Sequence, residues 1–349
     1  MTEHQTLRQY LEDWSQDKPL GEAVAASILS VADACCAIAE VIALGPLAGS
    51  LGAQQGQNVD GDTQVALDLR ANDLMIDEMR RAPVACVASE ELEDPLPLDT
   101  SAPVCVAIDP LDGSSNIDTN VSVGTIFSVL PMRCTACSPN SGCFVQKGAN
   151  QVAAGYVIYG PQTAMVLTVG DGTHIFTLNP DTGEFCLTAP HVMIPEETSE
   201  FAINTSNFRR WDGHIRAYVD DCLKGAEGPH GKNYNTRWIA SLVAECHRIM
   251  ARGGIFLYPG DRRPDYHSGR LRLAYECAPI AMLVEQAGGG ASTGAERILD
   301  IDPADLHERV PLIFGSINEV KLLNHYYDEV HPYQERWQLF GDRGLFRAS

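Results

Sequence analysis

Apolar residues recur at helical spacing over residues 22–44, EAVAASILSVADACCAIAEVIAL, where Val24, Ile28, Val31, Cys35, Ile38 and Ile42 share one stripe. Gly45-Pro46 stops the pattern, which predicts an amphipathic helix packed on a core. A Gly-, Gln- and Asn-rich stretch, GSLGAQQGQNVDGD, predicts a mobile loop, followed by a second helix over about 64–81. Two short apolar runs of strand length come next, VACVAS at 84–89 and VCVAID at 104–109. Each ends in acids, Glu90-Glu91 and Asp109, so both strands deliver carboxylates at their C-terminal ends.

From 121 to 187 the pattern is β-rich and broken by Gly, Asp and Pro turns, which predicts a meandering sheet. Around HVMIPEETSE at 191–200 the strand signal stops, and a domain boundary is expected there, dividing the chain into 1–195 and 196–349. Beyond it helix and strand signals alternate: a helix near 235–251, the strand GIFLYP, a helix in ECAPIAMLVEQAGG, the strand PLIFGS and a last helix from Asn318. The fold class is therefore α/β, a layered α+β sandwich with an N-terminal meander domain and a C-terminal α/β domain.

With 349 residues, the chain is long enough for sizeable cores, and a net charge of −21 disfavours a nucleic-acid or anionic-membrane partner. Asp, Glu or Gly interrupts the longest apolar stretches, so no membrane span is expected, and the start of the chain lacks a basic region followed by an apolar one. The expected location is the cytoplasm. The 11 cysteines lie mostly inside apolar runs, which predicts reduced core thiols. Three of them, Cys134, Cys137 and Cys143, crowd the polar stretch RCTACSPNSGC, where exposed thiols are simply unpaired, form a redox switch or make an incidental metal site.

The chemistry lies in the acids at element ends: Glu90, Glu91, Asp109, Asp112 and Glu276, which opens the later helix. A carboxylate buried without a partner is very unfavourable, so a converging set asks for cations. Oxygen donors of this kind suit two or three Mg2+ ions, or Mn2+ in their place, and not zinc. Such a cluster serves phosphate-ester hydrolysis. Gly113-Ser114-Ser115 supplies backbone N–H groups and hydroxyls for a phosphate. Taken singly, Asp-Gly-Ser-Ser is an ordinary turn, Asn58 and Asp68 are equally helix caps, and His247 is a core or capping histidine.

The segments SEE at 89–91, DPLDGSSN at 109–116 and GRLRLAYECAP at 269–279, with GDTQVALD at 61–68 and GGIFLYP at 253–259, resemble class I fructose-1,6-bisphosphatase. The resemblance implies metal ligation by Glu90, Glu91, Asp109, the Leu111 carbonyl, Asp112 and Glu276. It implies catalytic roles for Asp62 and Asp68 on the mobile loop, with Asp68 and Glu91 activating the attacking water. Substrate would be bound by Asp112, Gly113, Ser114 and Ser115 on one side and by Asn204, Arg237, Trp238, Tyr258 and Arg270 on the other. Arg237 would reach a neighbouring subunit's site in a homotetramer. Trp238 and Asn207 stand where better-known members have tyrosine, and Arg270 where they have lysine, which favours bidentate phosphate contact.

The implied activity is hydrolysis of the 1-phosphate of fructose 1,6-bisphosphate, in gluconeogenesis or carbon fixation. Sedoheptulose-1,7-bisphosphatase activity is the alternative, since sugar length is read by few contacts. An inositol monophosphatase would carry its last acid in a Trp-Asp pair opening a helix. Trp211-Asp212 is present, but Gly213-His214 follow and no long apolar helical run is expected there. A non-catalytic metal and phosphate sensor is disfavoured because every required carboxylate is present. Animal members bind AMP through a Lys-Tyr pair and an arginine, and the aligned positions here are Pro103-Val104 and Pro131, which implies no AMP inhibition.

Overall fold

The computed structural model describes residues 4–57, 63–133 and 142–328. Its helices are α1 (Leu7–Ser15), α2 (Gly21–Leu44), α3 (Ala66–Met79), α4 (Gly213–Leu223), α5 (Leu242–Arg252), α6 (Ala278–Gln286) and α7 (Ile317–Asp328). A hairpin of β1 (Gln54–Gln57) and β2 (Thr63–Val65) precedes the main sheet. That sheet holds β3 (Val84–Ser89), β4 (Leu96–Pro97), β5 (Val104–Asp112), β6 (Val123–Pro131), β7 (Ala153–Tyr159), β8 (Thr163–Thr168), β9 (Thr173–Asn179) and β10 (Glu184–Ala189). Its strand order is β10-β9-β8-β7-β6-β5-β3-β4, with β5 to β10 an antiparallel meander and β3 parallel to β5.

The second half contributes β11 (Glu200–Ile203), β12 (Asn235–Thr236), β13 (Ile255–Tyr258), β14 (Leu271–Arg272), β15 (Gly290–Ser292), β16 (Arg309–Val310) and β17 (Leu312–Gly315). Five of these form a sheet in the order β12-β11-β13-β17-β15, while β14 pairs with β16.

The strands alternate between cores, as a period of two requires when both faces are covered. On β7, Ala153, Val157 and Tyr159 join the core under α1, α2 and α3, whereas Ala154, Tyr156 and Ile158 face α5 and α6. On the other side of α5 and α6 lie Phe256 and Phe314 of the second sheet, and the outer face of that sheet, with Ile255 and Ile313, is covered by α4 and α7. The result is five layers, helices–sheet–helices–sheet–helices, in which the middle helices form one core with both sheets.

Two sequence expectations need correction, and a third, the absence of a membrane span, rests on burial rather than on interruption of the apolar run. The helical stretch Gly21–Ala48 is long and apolar enough to cross a membrane, with mean hydropathy 2.0 over its most apolar window, although Glu22, Asp33 and Glu40 lie within it. Its stripe of Val24, Ile28, Val31, Cys35 and Ile38 is instead sealed in the first core. The helix expected near 235–251 begins only at Leu242, because Ala240 adopts a left-handed conformation (φ +64°) and Ser241 caps the helix by accepting from the Ala244 N–H. Asp212, finally, does open a helix: its carboxylate accepts from the His214 and Ile215 N–H groups of α4, so it is a cap.

Candidate functional site

The site grows from the paired ends of β3 and β5. Ser89 is in register with Ile108, and the Glu90 N–H donates to the Ile108 carbonyl at 3.0 Å, so Glu90-Glu91 and Asp109 emerge side by side. Residues three apart on a strand face opposite sides, so Asp109 and Asp112 would be separated on a regular β5. Against β6, Asp109 pairs with Ile126 but Asp112 with Gly124, which leaves one extra residue on β5. This bulge turns both carboxylates to one side, and the Thr125 hydroxyl donates to the Pro110 carbonyl inside it (2.9 Å).

Glu276 arrives from a π-helical turn, Leu273–Cys277, immediately before α6. Its carboxylate oxygen and those of Asp109 and Asp112 lie within 4.8 Å of one another, all three residues being buried. Each is fixed from behind. The Asp109 carboxylate accepts from the Leu111 N–H (3.0 Å), Glu276 from the Arg272 N–H (2.6 Å), and Asp112 from the Val243 N–H (2.9 Å) and the Ser241 hydroxyl (3.3 Å). The N-terminus of α5 thus points at Asp112.

Burial, and then the neighbouring Glu90, Asp112, Glu276 and Glu91, push Asp109 well above the usual carboxylate range. Glu276 is raised by burial and by Glu90, against the Arg272 N–H. Asp112 is pushed up to about 6 by burial, the α5 N–H groups and Ser241 holding it from going higher. Carboxylates gathered at this cost fit a divalent cation with oxygen ligands, and no His or Cys shares the cluster among the described residues.

Asp68, in the first turn of α3, accepts from the Val65 N–H at 2.8 Å and is therefore partly a cap. It also belongs to the site: burial pushes it up to about 7, with Val65 opposing, Glu91 adding to the rise and Ser114 opposing. The Ser89 hydroxyl donates to the Asn72 side chain (2.7 Å) and ties α3 to the strand that ends at Glu90. Gly113 takes a left-handed conformation (φ +76°), which glycine tolerates, and turns the chain into Ser114–Thr119, where Ser115 is exposed. Asp62 and Asn58 lie outside the described residues.

On the second sheet, Trp238, Phe256 and Tyr258 form a cluster of three near-parallel rings, Trp238 lying 5.8 Å from Phe256 (interplanar angle 3°) and 6.1 Å from Tyr258 (17°), with 6.0 Å between the latter two. Burial raises Tyr258, with Arg270 and Arg263 lowering it and Glu276 raising it. Both guanidinium groups sit 4.3 Å from the Tyr266 ring centroid. Asn204 accepts from the Ser206 N–H and hydroxyl, and Asn207 from Arg263 at 3.4 Å. Arg237 stands apart, half-exposed, with its Nε donating to Glu200.

Reading the sequence missed Arg272. It is 1 % exposed and its Nη1 lies 2.6 Å from the Glu90 carboxylate. The available signal was a base four residues before Glu276, inside the apolar run LRLAY. Arg263 and Tyr266 were missed too, though GDRRPDYHSGR is basic and aromatic between Gly turns. His247 is a core histidine, its Nδ1 3.1 Å from the Tyr156 hydroxyl. Cys143 is buried, unlike the exposed thiol expected, while Cys134 and Cys137 lie outside the described residues.

A model of the fructose-1-6-bisphosphatase N-terminal domain matches residues 6–190 and one of the C-terminal domain matches 194–328. The class 1 fructose-1,6-bisphosphatase of Nitrobacter vulgaris is 52 % identical over 349 residues, covering all of both chains. That of Rhizobium meliloti is 52 % identical over 345 residues, 98 % of this chain and 99 % of its own. The crystal structure of Leishmania major fructose-1,6-bisphosphatase in holo form superposes with a TM-score of 0.86 at 36 % identity, over 94 % of this chain and 100 % of that one.

Proposed function

Because the chain belongs to the class 1 fructose-1,6-bisphosphatase family, we propose that it hydrolyses the 1-phosphate of D-fructose 1,6-bisphosphate, releasing fructose 6-phosphate and inorganic phosphate. The observation that carries this is the trio Asp109, Asp112 and Glu276 at the β5 bulge, with Asp68 beside Glu91.

Glu90, Glu91, Asp109, the Leu111 carbonyl, Asp112 and Glu276 would hold two or three Mg2+ or Mn2+ ions. Bound there, the cations polarise the phosphoryl oxygens and lower the pKa of water. Arg272 holds Glu90 and Glu276 in place through its guanidinium and its N–H. Asp68, poised near pH 7, takes the proton of the attacking water, with Glu91 orienting it. Gly113, Ser114 and Ser115 present N–H and hydroxyl donors to the 1-phosphate. Tyr258, Arg270 and Asn204 receive the 6-phosphate, and Trp238 covers the sugar.

The same reading makes the enzyme a cytoplasmic homotetramer of gluconeogenesis or carbon fixation. The half-exposed position of Arg237 supports its role in a neighbouring subunit's site. Cleavage of sedoheptulose 1,7-bisphosphate, alone or alongside, is a second reading, since sugar length is read by few contacts. Phosphate release with Mg2+ from fructose 1,6-bisphosphate, sedoheptulose 1,7-bisphosphate and inositol 1-phosphate tests both. Release from the first is expected, and release from inositol 1-phosphate alone overturns the reading.

The raised carboxylates set a pH dependence. Asp68 and Asp112 bind protons more tightly when folded (about 7 and about 6) than at the ordinary 3.8. Their stabilising contribution is therefore complete below pH 3.8 and is lost as pH rises through 6 to 7. Mg2+ compensates the charge thus exposed, so the rise in Tm that it produces is expected to be larger at pH 8 than at pH 5. Calorimetry showing the opposite order would contradict the cation assignment.

AMP is expected not to inhibit. Val104 and Pro131 are register partners at the far end of β5 and β6, and Val104 is fully buried. Neither offers a charge or a hydroxyl. Losing two charge-assisted hydrogen bonds at about 1.5–3 kcal/mol each weakens binding roughly a hundredfold or more. Half-inhibition at micromolar AMP would refute this.

A further inference from the structure

A cluster of sulfur atoms lies at the other end of β5 from the carboxylates. The Cys143 Sγ is 3.1 Å and the Cys105 Sγ 3.5 Å from the Met132 Sδ. Cys105 precedes Asp109 by four residues on β5, Met132 follows β6 directly, and Cys143 lies beyond it in the chain leading to β7. Cys86 is the register partner of Cys105 on β3, so a third thiol adjoins the group. All three cysteines are buried among Ala102, Leu130 and Phe144, while Met132 is half-buried at the edge.

We propose that Cys105, Cys143 and Met132 form a binding site for a thiophilic monovalent cation, Cu(I) or its analogue Ag(I), with Cys86 as a supporting thiol. Thiolate and thioether sulfur select Cu(I) and reject the hard cations that suit the carboxylates, so one strand would carry two sites separated by ligand softness. The charge balance suits a dry pocket. One thiol loses its proton to solvent as the S–Cu bond forms, the second thiol and the thioether donate as neutral ligands, and the buried complex carries no net charge. No oxidation is involved. Methionine is flexible enough to open the cluster, and its half-buried position provides the entry path. Burial, with Cys143 adding to it, pushes Cys86 up to about 11 and Cys105 higher still, so neither is the reactive thiolate that disulfide exchange would use.

The test supplies Cu(I) to the full chain, with Mg2+ present and oxygen excluded, in competition with a chromogenic Cu(I) chelator. The unsubstituted chain is expected to withdraw one Cu(I), Cys105→Ala to lose that capacity, and Met132→Leu to hold it at least tenfold more weakly. Ag(I) is expected to raise Tm in the unsubstituted chain and much less in Met132→Leu, whose similar volume and edge position preserve folding should Cys105→Ala fail to fold. No withdrawal by the unsubstituted chain, or equal withdrawal by a folded Cys105→Ala chain, overturns the proposal. So does an equal Tm rise in Met132→Leu.

Discussion

Asp112→Ala is expected to lower turnover on the order of a thousandfold while the chain still folds. The Asp112 carboxylate is buried with those of Asp109 and Glu276 and is fixed by Val243 and Ser241. Without it a bound cation is under-compensated and displaced. Cations contribute several kcal/mol to transition-state charge stabilisation, and about 4 kcal/mol corresponds to about a thousandfold. The structural cost is smaller: the α5 N-terminus loses an acceptor, about 1 kcal/mol. Asp112→Asn keeps size and an acceptor and removes only charge, so its turnover should fall almost as far. Near-normal turnover in a folded Asp112→Ala chain would contradict the ligand assignment.

Arg272→Met is expected to cost about 3–5 kcal/mol of unfolding free energy, because it leaves Glu90 charged beside the other carboxylates without its guanidinium. If the same energy is lost from the aligned site, turnover falls about a hundredfold to several thousandfold. Adding divalent cation should recover part of the stability, since it offsets the Glu90 charge, but not the turnover, since the orientation of Glu90 is gone. Denaturant titration and steady-state kinetics separate the two. Stability within about 1 kcal/mol of the unsubstituted chain would show that Arg272 carries no such weight.

Much of this site is legible along the chain because its acids end apolar runs. VACVAS corresponds to β3 residue for residue, and Glu90-Glu91 follow it directly. The bulge is not legible, since it exists only in the pairing with β6, yet without it Asp109 and Asp112 would face apart. Glu276 stands out as an acid at a helix start, whereas the π-helical turn that presents it does not. Arg272 is hidden because a base within LRLAY resembles a solvent-facing strand position, and only the fold buries it against Glu90. The start of α5 depends on a left-handed Ala240, a conformation alanine rarely adopts and its sequence does not announce. Asp212 misled in the opposite direction: judged by a missing apolar run, it proves to cap α4, whose Ile215, Tyr218, Val219 and Cys222 are buried at helical spacing.

The central claim is that the carboxylates on β5 and the π-helical turn hold cations that cleave a sugar 1-phosphate. Phosphorus NMR of fructose 1,6-bisphosphate incubated with the chain tests it most directly, because it resolves which phosphate leaves. With Mg2+ the 1-phosphate signal should give way to inorganic phosphate while the 6-phosphate persists, and excess chelator should stop the change. Loss of the 6-phosphate, or equal turnover in chelator, would contradict the account.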